Sequence, residues 1–590
     1  MRARVLRLLL PVLAMALLGG CVSLPHAGTV TTQPGAEPVA QGDGSFDYTP
    51  SGPRAGSSPL EIVQDWLLAM QASPQSTAIA RKFLTDQAKT GWLPEKGTVI
   101  YGSKLVTAKK DDVAVGLAGT FKLDERGTWR GTVGGAQGLQ YALKLVRDRG
   151  EWRISNPPDA LLIPRTHFET RYQQFFVYFF DPTARVLVPE PTYQPRGEQA
   201  ATMLVRRLLR GPDPSLDGVL RTFIPGGTEY VLSVPVSQDG VAQVDLSKQL
   251  LQLRAEDRQM ALAQLAWTLR QVTGVESMRV TVDGSPIDIP GAGSPQSVKS
   301  WAEFDPSIHW ASQELFGIRE NKVLAVGTEG GEVVGRFGAQ DYRLRDIAVD
   351  LEAENVAGVT DDGRTVVLAP RGRNGDNLPD PRETKIVYSG GTDVLRPGWD
   401  VFDELWVVDN TARGAAVNIV KNGVVTRIDA PGLEDKDVSR FVVSRDGTRL
   451  VAVVKGKTGD RLVISRVLRT GTGRARGLTP AVDLPLAQGG VDEIRDLAWR
   501  SPGSLAVLTG PTPESSQVLL ALVDGSTALP DVDSTAEIFR RRAVRLVASP
   551  SPGTPLFVGS AHGDLFELGA DGQWNEADVG GPMLVPTFVG

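Results

Sequence analysis

The chain has 590 residues, 41% apolar and 22% charged, with 63 basic against 69 acidic side chains and a net charge of −6. That balance argues against a nucleic-acid binder, which carries a clearly basic domain, and the length suits several domains, roughly four. The single cysteine excludes an internal disulfide framework and any multi-cysteine zinc or iron–sulfur site.

Residues 1–20 have the layout of an export signal. Arg2, Arg4 and Arg7 form the basic start, Leu8 to Leu18 is an apolar run of eleven residues, and Gly19 and Gly20 precede Cys21. So short an apolar run fits a signal peptide better than a membrane span, which needs about 20 residues. Leu18-Gly19-Gly20-Cys21 resembles the bacterial lipobox. The resemblance implies cleavage between Gly20 and Cys21, S-diacylglycerol on the Cys21 thiol and an N-acyl chain (palmitate) on its new amino group. More than one acyl chain anchors stably where a single chain is marginal. The expected location is therefore the outer face of the plasma membrane. After Cys21, residues 22–58 hold 20 Pro, Gly, Ser or Thr among 37. This stretch has too little apolar surface to offset the cost of ordering, and reads as a disordered tether. It would reach roughly 35 Å as a coil and about 120 Å extended.

Residues 59–170 form the first expected domain. In SPLEIVQDWLLAMQA, Ser58 is placed as the N-cap and Pro59 at the first helical position. Ile62, Trp66 and Met70 recur at helical spacing. STAIARKFLTDQAK is expected as a second short helix, followed by strands in GTVIYGSKLVTA, DVAVGLAGTFKL and YALKLVRDRGEWRISNPP. Two helices and then a curved antiparallel sheet resemble an NTF2-like or cystatin-like α+β domain.

Residues 171–293 form the second. QQFFVYFFD-PTARVLVPEP reads as a hairpin turning at Asp181-Pro182, and GEQAATMLVRRLLRGP as a helix with Ala200, Met203, Leu204 and Leu208 on one face. IPGGTEYVLSVPVSQDGVAQVDLS is expected as two strands around Asp239-Gly240, AEDRQMALAQLAWTLRQVTGV as an amphipathic helix stopped by Gly274, and SMRVTVDGSPI as a strand turning at Asp283-Gly284. LLRGP, IPGGT, GVAQVDLS, LAQLAWTLRQVTGV and VDG, in that order, resemble the GerMN domain. Asp245 and Asp283 form a candidate carboxylate pair, but Asp283 reads as a turn residue and Asp245 as a cap for the segment after its strand.

Residues 294–590 contain an irregular repeat. VTDDGRTVVLAP, LRPGWDVFDELWVVD, VVSRDGTRLVAVV, AWRSPGSLAVLTG and VASPSPGTPLFVGS each read as strand, glycine turn, apolar strand, with the glycines at 363, 398, 447, 503 and 553. The period suits propeller blades of about 40–50 residues. The non-alternating apolar strands suit sheets covered on both faces. The fold class expected is thus multidomain: two α+β domains, NTF2-like or cystatin-like and then GerMN, followed by an all-β propeller of about six blades.

Chemistry-bearing residues are sparse. His26, His167, His309 and His562 lie far apart, with no second His or Cys at metal-ligand spacing. Asn374 to Asp380 is rich in oxygen ligands but lacks EF-hand spacing, and reads as a loop. Gly471 to Gly477, GTGRARG, lacks the spacing and following helix of a phosphate loop, and reads as a solvated turn. No catalytic set, cofactor site or metal site is expected. The order lipobox, tether, small α+β domain, GerMN domain and propeller resembles the LpqB lipoprotein family of actinobacteria. That resemblance implies an accessory protein and not an enzyme. Its implied partner is the extracytoplasmic domain of a membrane sensor kinase, that of the Mtr two-component system, with effects on cell-envelope homeostasis. A glycan-binding or glycan-processing envelope lipoprotein, with wall polymer as its contact, is the opposing expectation.

Overall fold

The computed structural model describes residues 48–230, 232–287, 293–326, 331–333, 335–339, 341–371, 384–486, 491–527 and 538–590. The signal peptide, Cys21 and most of the expected tether lie outside them.

The first helix, Pro59–Ala69, begins at a capping box. The Ser58 backbone N–H donates to the Glu61 carboxylate at 2.8 Å, and the Glu61 N–H returns to Ser58 Oγ at 3.4 Å. Ile62, Val63, Trp66 and Leu67 are buried against the sheet. The expected second helix is broken in two. Ala80–Phe83 forms a 3-10 turn, Leu84 is extended, and Thr85 caps a new short helix, Asp86–Gly91, by accepting from Ala88 N–H at 3.2 Å. A threonine that can satisfy an orphan helix N–H competes with continuing the previous helix.

Two four-stranded sheets follow, one around Gly97–Tyr101 and one of Ser103–Lys109, Asp112–Ala118, Leu139–Asp148 and Glu151–Ile154. They meet at Gly102, whose N–H donates to Ala118 O at 2.9 Å, and at Gly119, with φ 60°. Both long strand pairs bend here, so the sheets are two arms of one folded ribbon wrapped around the first helix. Residues 48–58 run over this core and are ordered, where the sequence suggested tether. Tyr48 exchanges backbone bonds with Ser73, Gly56 N–H donates to Glu151, and Pro50 and Ser57 are buried.

In the second region, Tyr172–Phe180 and Leu187–Pro195 pair as an antiparallel hairpin. Among the described residues the outer edge of its first strand meets no strand beyond an isolated bridge of Phe180 with Arg221; side chains from the helix Ala255–Leu269 and from Gln271, just past its C-cap, serve instead. Gln264 Nε2 donates to Tyr178 O at 3.0 Å, Thr268 Oγ1 accepts from Tyr178 N–H at 3.2 Å, and Gln271 Oε1 accepts from Phe176 N–H at 2.8 Å. Spacing by four puts Gln264 and Thr268 on one helix face, and the turn after the C-cap Arg270 brings Gln271 onto the same side. The helix is less amphipathic than its sequence suggested, because every residue from Ala261 to Leu269 is buried. Its crossover joins Val241–Leu246 to the parallel strand Ser277–Val282, which turns at Asp283 and Gly284, both with positive φ. The expected strand before Val241 survives only as isolated bridges at Tyr230 and Val236. Pro225 and Pro235 lack the N–H that a continuous ladder needs.

The third region is a propeller. Among the described residues, six antiparallel sheets follow one another in chain order. Their innermost strands, Leu344–Val349, Gly398–Trp399, Val438–Val443, Ile494–Ser501, Ala543–Val547 and Leu584–Thr587, neighbour each other in a closed ring. Leu584–Thr587 closes it by pairing with Leu315–Arg319, in the sheet that begins the repeat. The strand Arg449–Val454 shows why such strands are apolar on both sides. Leu450, Ala452 and Val454 pack toward the preceding blade, and Val451 and Val453 toward the following one.

The glycine repeat mixes positions. Gly447, Gly503 and Gly553 lie in turns from the first to the second strand of their blades. Gly363 instead lies between second and third strands, and Gly398 lies within an innermost strand. The positions equivalent to the other three are the turns beginning at Asp350 and Asp400. Each carboxylate accepts the backbone N–H groups that fold its turn: Glu354 and Asn355 for Asp350, Phe402 and Glu404 for Asp400. An aspartate there does the turn-closing work expected of glycine.

Candidate functional site

The hairpin 172–195 lies across the propeller face formed by the first-to-second-strand turns. Its loop is folded by Asp181, a fully buried carboxylate that accepts the N–H groups of Thr183 at 2.8 Å, Arg185 at 2.7 Å and Val186 at 2.9 Å. The loop thereby pushes Val186 into a cluster with Phe316, Val401, Phe402 and Val589 of the propeller. Glu190 is gripped by two arginines. Arg449 Nη2 donates to it at 3.0 Å and Arg466 Nη2 at 2.9 Å. The Arg449 side chain is 0% exposed; it also donates to Pro189 O at 2.6 Å and lies 3.5 Å from Asp446. Burial first, then the neighbouring Arg466, push Arg449 down to about 10. Phe176 presses on Gly503, where a Cβ would lie 2.6 Å from the ring. Tyr193 bonds to Asp524 at 3.1 Å and to Ser526. Burial raises Asp524 above the usual carboxylate range.

The axis of the propeller is nearly filled. Its cavity of about 70 Å³ is lined mostly by apolar groups such as Phe441, Val443, Leu497, Trp499 and Phe588. That is room for a few waters at most, at about 30 Å³ each. At the hairpin end Arg445 is buried with no carboxylate partner among the described residues, donating to Val589 O at 2.9 Å and Ser551 Oγ at 3.0 Å. Burial lowers it to about 9.

The opposite end, where the innermost strands begin, carries a ring of charge. Arg396 donates to Asp496 at 2.9 Å, Arg440 Nε stands 3.8 Å from the same carboxylate, and Arg545 pairs with Asp346 at 3.0 Å. Burial works against the charge on Arg545, but Asp346 and Asp496 hold it above its ordinary value. Three guanidiniums face two carboxylates, and Arg440, with its side chain 37% exposed, is the most accessible of the five.

Comparison with known proteins adds names to these regions. Residues 52–169 match the model of the lipoprotein LpqB N-terminal domain, 176–288 that of the Germane domain of sporulation and spore germination, and 323–588 that of the lipoprotein LpqB β-propeller domain. Proteins named lipoprotein LpqB align along almost the whole chain. The one from Thermobifida fusca is 24% identical over 97% of both chains, and that from Cutibacterium acnes 26% over 95% of this chain and 96% of its own. The chain belongs to the LpqB lipoprotein family. Among solved structures it is similar to the first GerMN domain of the sporulation protein GerM from Bacillus subtilis: 22% identity, 21% of this chain and 94% of that one, TM-score 0.18. It is also similar to TolB from Acinetobacter baumannii: 12% identity, 58% and 86% coverage, TM-score 0.31. Membership in the LpqB lipoprotein family makes the chain a membrane-anchored envelope protein. No helix among the described residues is long and apolar enough to cross a membrane.

The residues singled out in sequence take varied places in this LpqB-family chain. Cys21, Gly20, His26 and Asn374 to Asp380 lie outside the described residues. His167 is partly buried beside Tyr172, and burial, then Arg171, lowers it to about 4. His309 is half-exposed near Asp305, and His562 sits in an exposed turn. Among the described residues no three His, Cys, Asp or Glu side chains gather as a metal site. Asp245 does not cap the segment after its own strand. It accepts Thr281 Oγ1–H at 2.7 Å and Gly284 N–H at 2.9 Å, and so holds the Asp283-Gly284 turn of the neighbouring strand. The GTGRARG turn is not simply solvated either. Gly473 is buried, its carbonyl accepts from Arg469 at 2.8 Å, and a Cβ there would lie 3.1 Å from Thr183 of the hairpin. The buried arginines 445, 449 and 469 were not anticipated. Their only sequence signal is proximity to Ser-x-Asp and Thr-Gly turns, a context that ordinarily reads as solvent.

Proposed function

We propose that this chain is a lipid-anchored accessory protein that acts by protein contact on the extracytoplasmic domain of a membrane sensor kinase, as the LpqB family resemblance implies for the Mtr system. Cys21 is the anchor, and the outer face of the plasma membrane the place of work. The observation that carries this reading is the propeller axis. Its interior is filled by apolar side chains, one end is covered by the hairpin, and the other carries a contact surface led by Arg440, the most exposed of the ring, with Arg396, Arg545 and Asp346 partly exposed around it and Asp496 buried beneath as their partner. Such a ring suits an acidic patch on a partner, with electrostatics supplying orientation and on-rate. The lipid confines the body near its target and raises the effective concentration of a weak contact. Contact biases the kinase to the extent that its two signalling states bind the ring differently.

The test is fractionation of cells making Cys21→Ala. The variant is expected in the soluble fraction with kinase output altered. Retention on the membrane with unaltered output would end this account.

A further inference from the structure

A second cavity, of about 310 Å³, lies between the first and second regions. That is within the range of small-ligand sites. Its floor combines Arg126, from the turn after Asp124, with Arg207, from the helix Ala200–Leu209, and Gln75. Arg207 is 5% exposed, and among the described residues its one hydrogen bond runs from Nη1 to the helix-end carbonyl of Gly211 at 2.9 Å. Its Nε is buried with no partner, and so are Arg126 Nε and Gln75 Nε2. Three buried donors around one cavity is an unusual cost to carry, because each unpaired group forfeits about 1–3 kcal/mol.

The carboxylates nearby do not discharge this cost. Asp124 is engaged by the N–H groups of Arg126 and Thr128 and by Arg130, and Glu125, half-exposed, among the described residues pairs with Arg126 Nη1 alone, at 3.1 Å. Arg207 has no carboxylate within ion-pair distance among the described residues, and burial, then the like charge of Arg126, lowers it to about 10. Arg206 and Arg210 line the same cavity from the exposed side of the helix. Leu123, Leu161, Pro195 and Met203 supply apolar wall, and the carboxylates of Glu95, Asp124 and Glu125 also line the cavity against its four arginines.

We propose that this cavity binds a phosphate group, with Arg126, Arg207 and Gln75 donating to its oxygens. Two guanidiniums from different regions plus an amide suit an anion with three acceptor oxygens, and guanidinium pairs with phosphate bidentately. Because Arg126 and Arg207 come from different regions, occupancy ties the first region to the second, and a bound phosphate stiffens the joint between them. The group arrives free, on a small phosphomonoester, or on a lipid headgroup; the binding chemistry is shared.

The experiment is calorimetric titration of the full chain with inorganic phosphate, sn-glycerol 3-phosphate and, below its micelle concentration, dihexanoylphosphatidylglycerol. It is repeated with Arg126→Gln, which removes a donor, and Met203→Trp, which fills the cavity and keeps every charge. Thermal melting verifies that both variants fold. Saturable binding of at least one probe, weakened about tenfold or more by both variants, supports the proposal. The probe that binds tells a free or monoester source from a headgroup. Failure of all three probes to bind up to about 10 mM, or binding that both variants leave intact, overturns it.

Discussion

Glu190→Ala is the sharpest probe of how the hairpin is held on the propeller. The carboxylate accepts from Arg449 and Arg466 at 3.0 and 2.9 Å, and its loss leaves Arg449, fully buried, with Asp446 at 3.5 Å and a backbone carbonyl. Glu190 is also one of the two groups that hold Arg449 charged against burial. Removing one partner of a buried pair costs about 3–5 kcal/mol, because the surviving charge is left uncompensated. That cost falls on the docked state, so local opening of the hairpin becomes easier by the same amount. At about 1.4 kcal/mol per decade, amide exchange across residues 172–195 accelerates roughly a hundredfold or more. Native-state hydrogen exchange read by mass spectrometry measures this directly. The double variant Glu190→Met with Arg449→Met, which replaces charge by apolar packing, is expected to recover most of the protection. A Glu190→Ala chain whose hairpin exchanges within about threefold of the wild type would refute the reasoning.

Three further outcomes follow from the same structure. Gly503→Ala drives a methyl to 2.6 Å from the Phe176 ring; a loss of about 1–3 kcal/mol is expected, relieved in part by Phe176→Leu, as read by thermal melting. Gly138→Ala combines φ 67° with a Cβ that collides with the Leu117 carbonyl; it should cost more than about 2 kcal/mol, seen as a lowered urea midpoint. His167, held near 4 in the folded chain against an ordinary 6.5, stays neutral when folded while the unfolded chain takes up a proton. Its contribution is therefore fully present above pH 6.5 and is lost as the pH falls toward 4. His167→Phe is expected to flatten that part of the stability profile, measured as melting temperature against pH.

What the sequence made legible was local and chemically forced. Ser58 followed three residues later by Glu61 can cap only one helix start, and Asp283-Gly284 can take only a turn with positive φ. Strands such as Arg449–Val454 announced their two-sided burial by lacking alternation. The blade register was harder. Every hairpin of an antiparallel meander reads as strand, turn, strand, so the motif around Gly363 looked equivalent to that around Gly447 although it joins different strands. The buried cations were hidden for another reason. Arg207 stands beside Arg206 and Arg210, both exposed, and is buried by long-range packing, against Phe179 of the hairpin and beside Arg126 of the first region. Glu190, Arg449 and Arg466 meet across a separation of more than 250 residues, a pairing no local pattern encodes.

The central claim is contact between the charged end of the propeller and an envelope sensor kinase. Its most direct test is site-specific photocrosslinking in intact cells, with the crosslinker at Arg343, an exposed residue immediately before the innermost strand Leu344–Val349 that carries Asp346, and Arg440→Glu as the control. The account predicts the kinase as a crosslinked product, lost in the control. Wall fragments alone, or a kinase product that Arg440→Glu leaves undiminished, would contradict it.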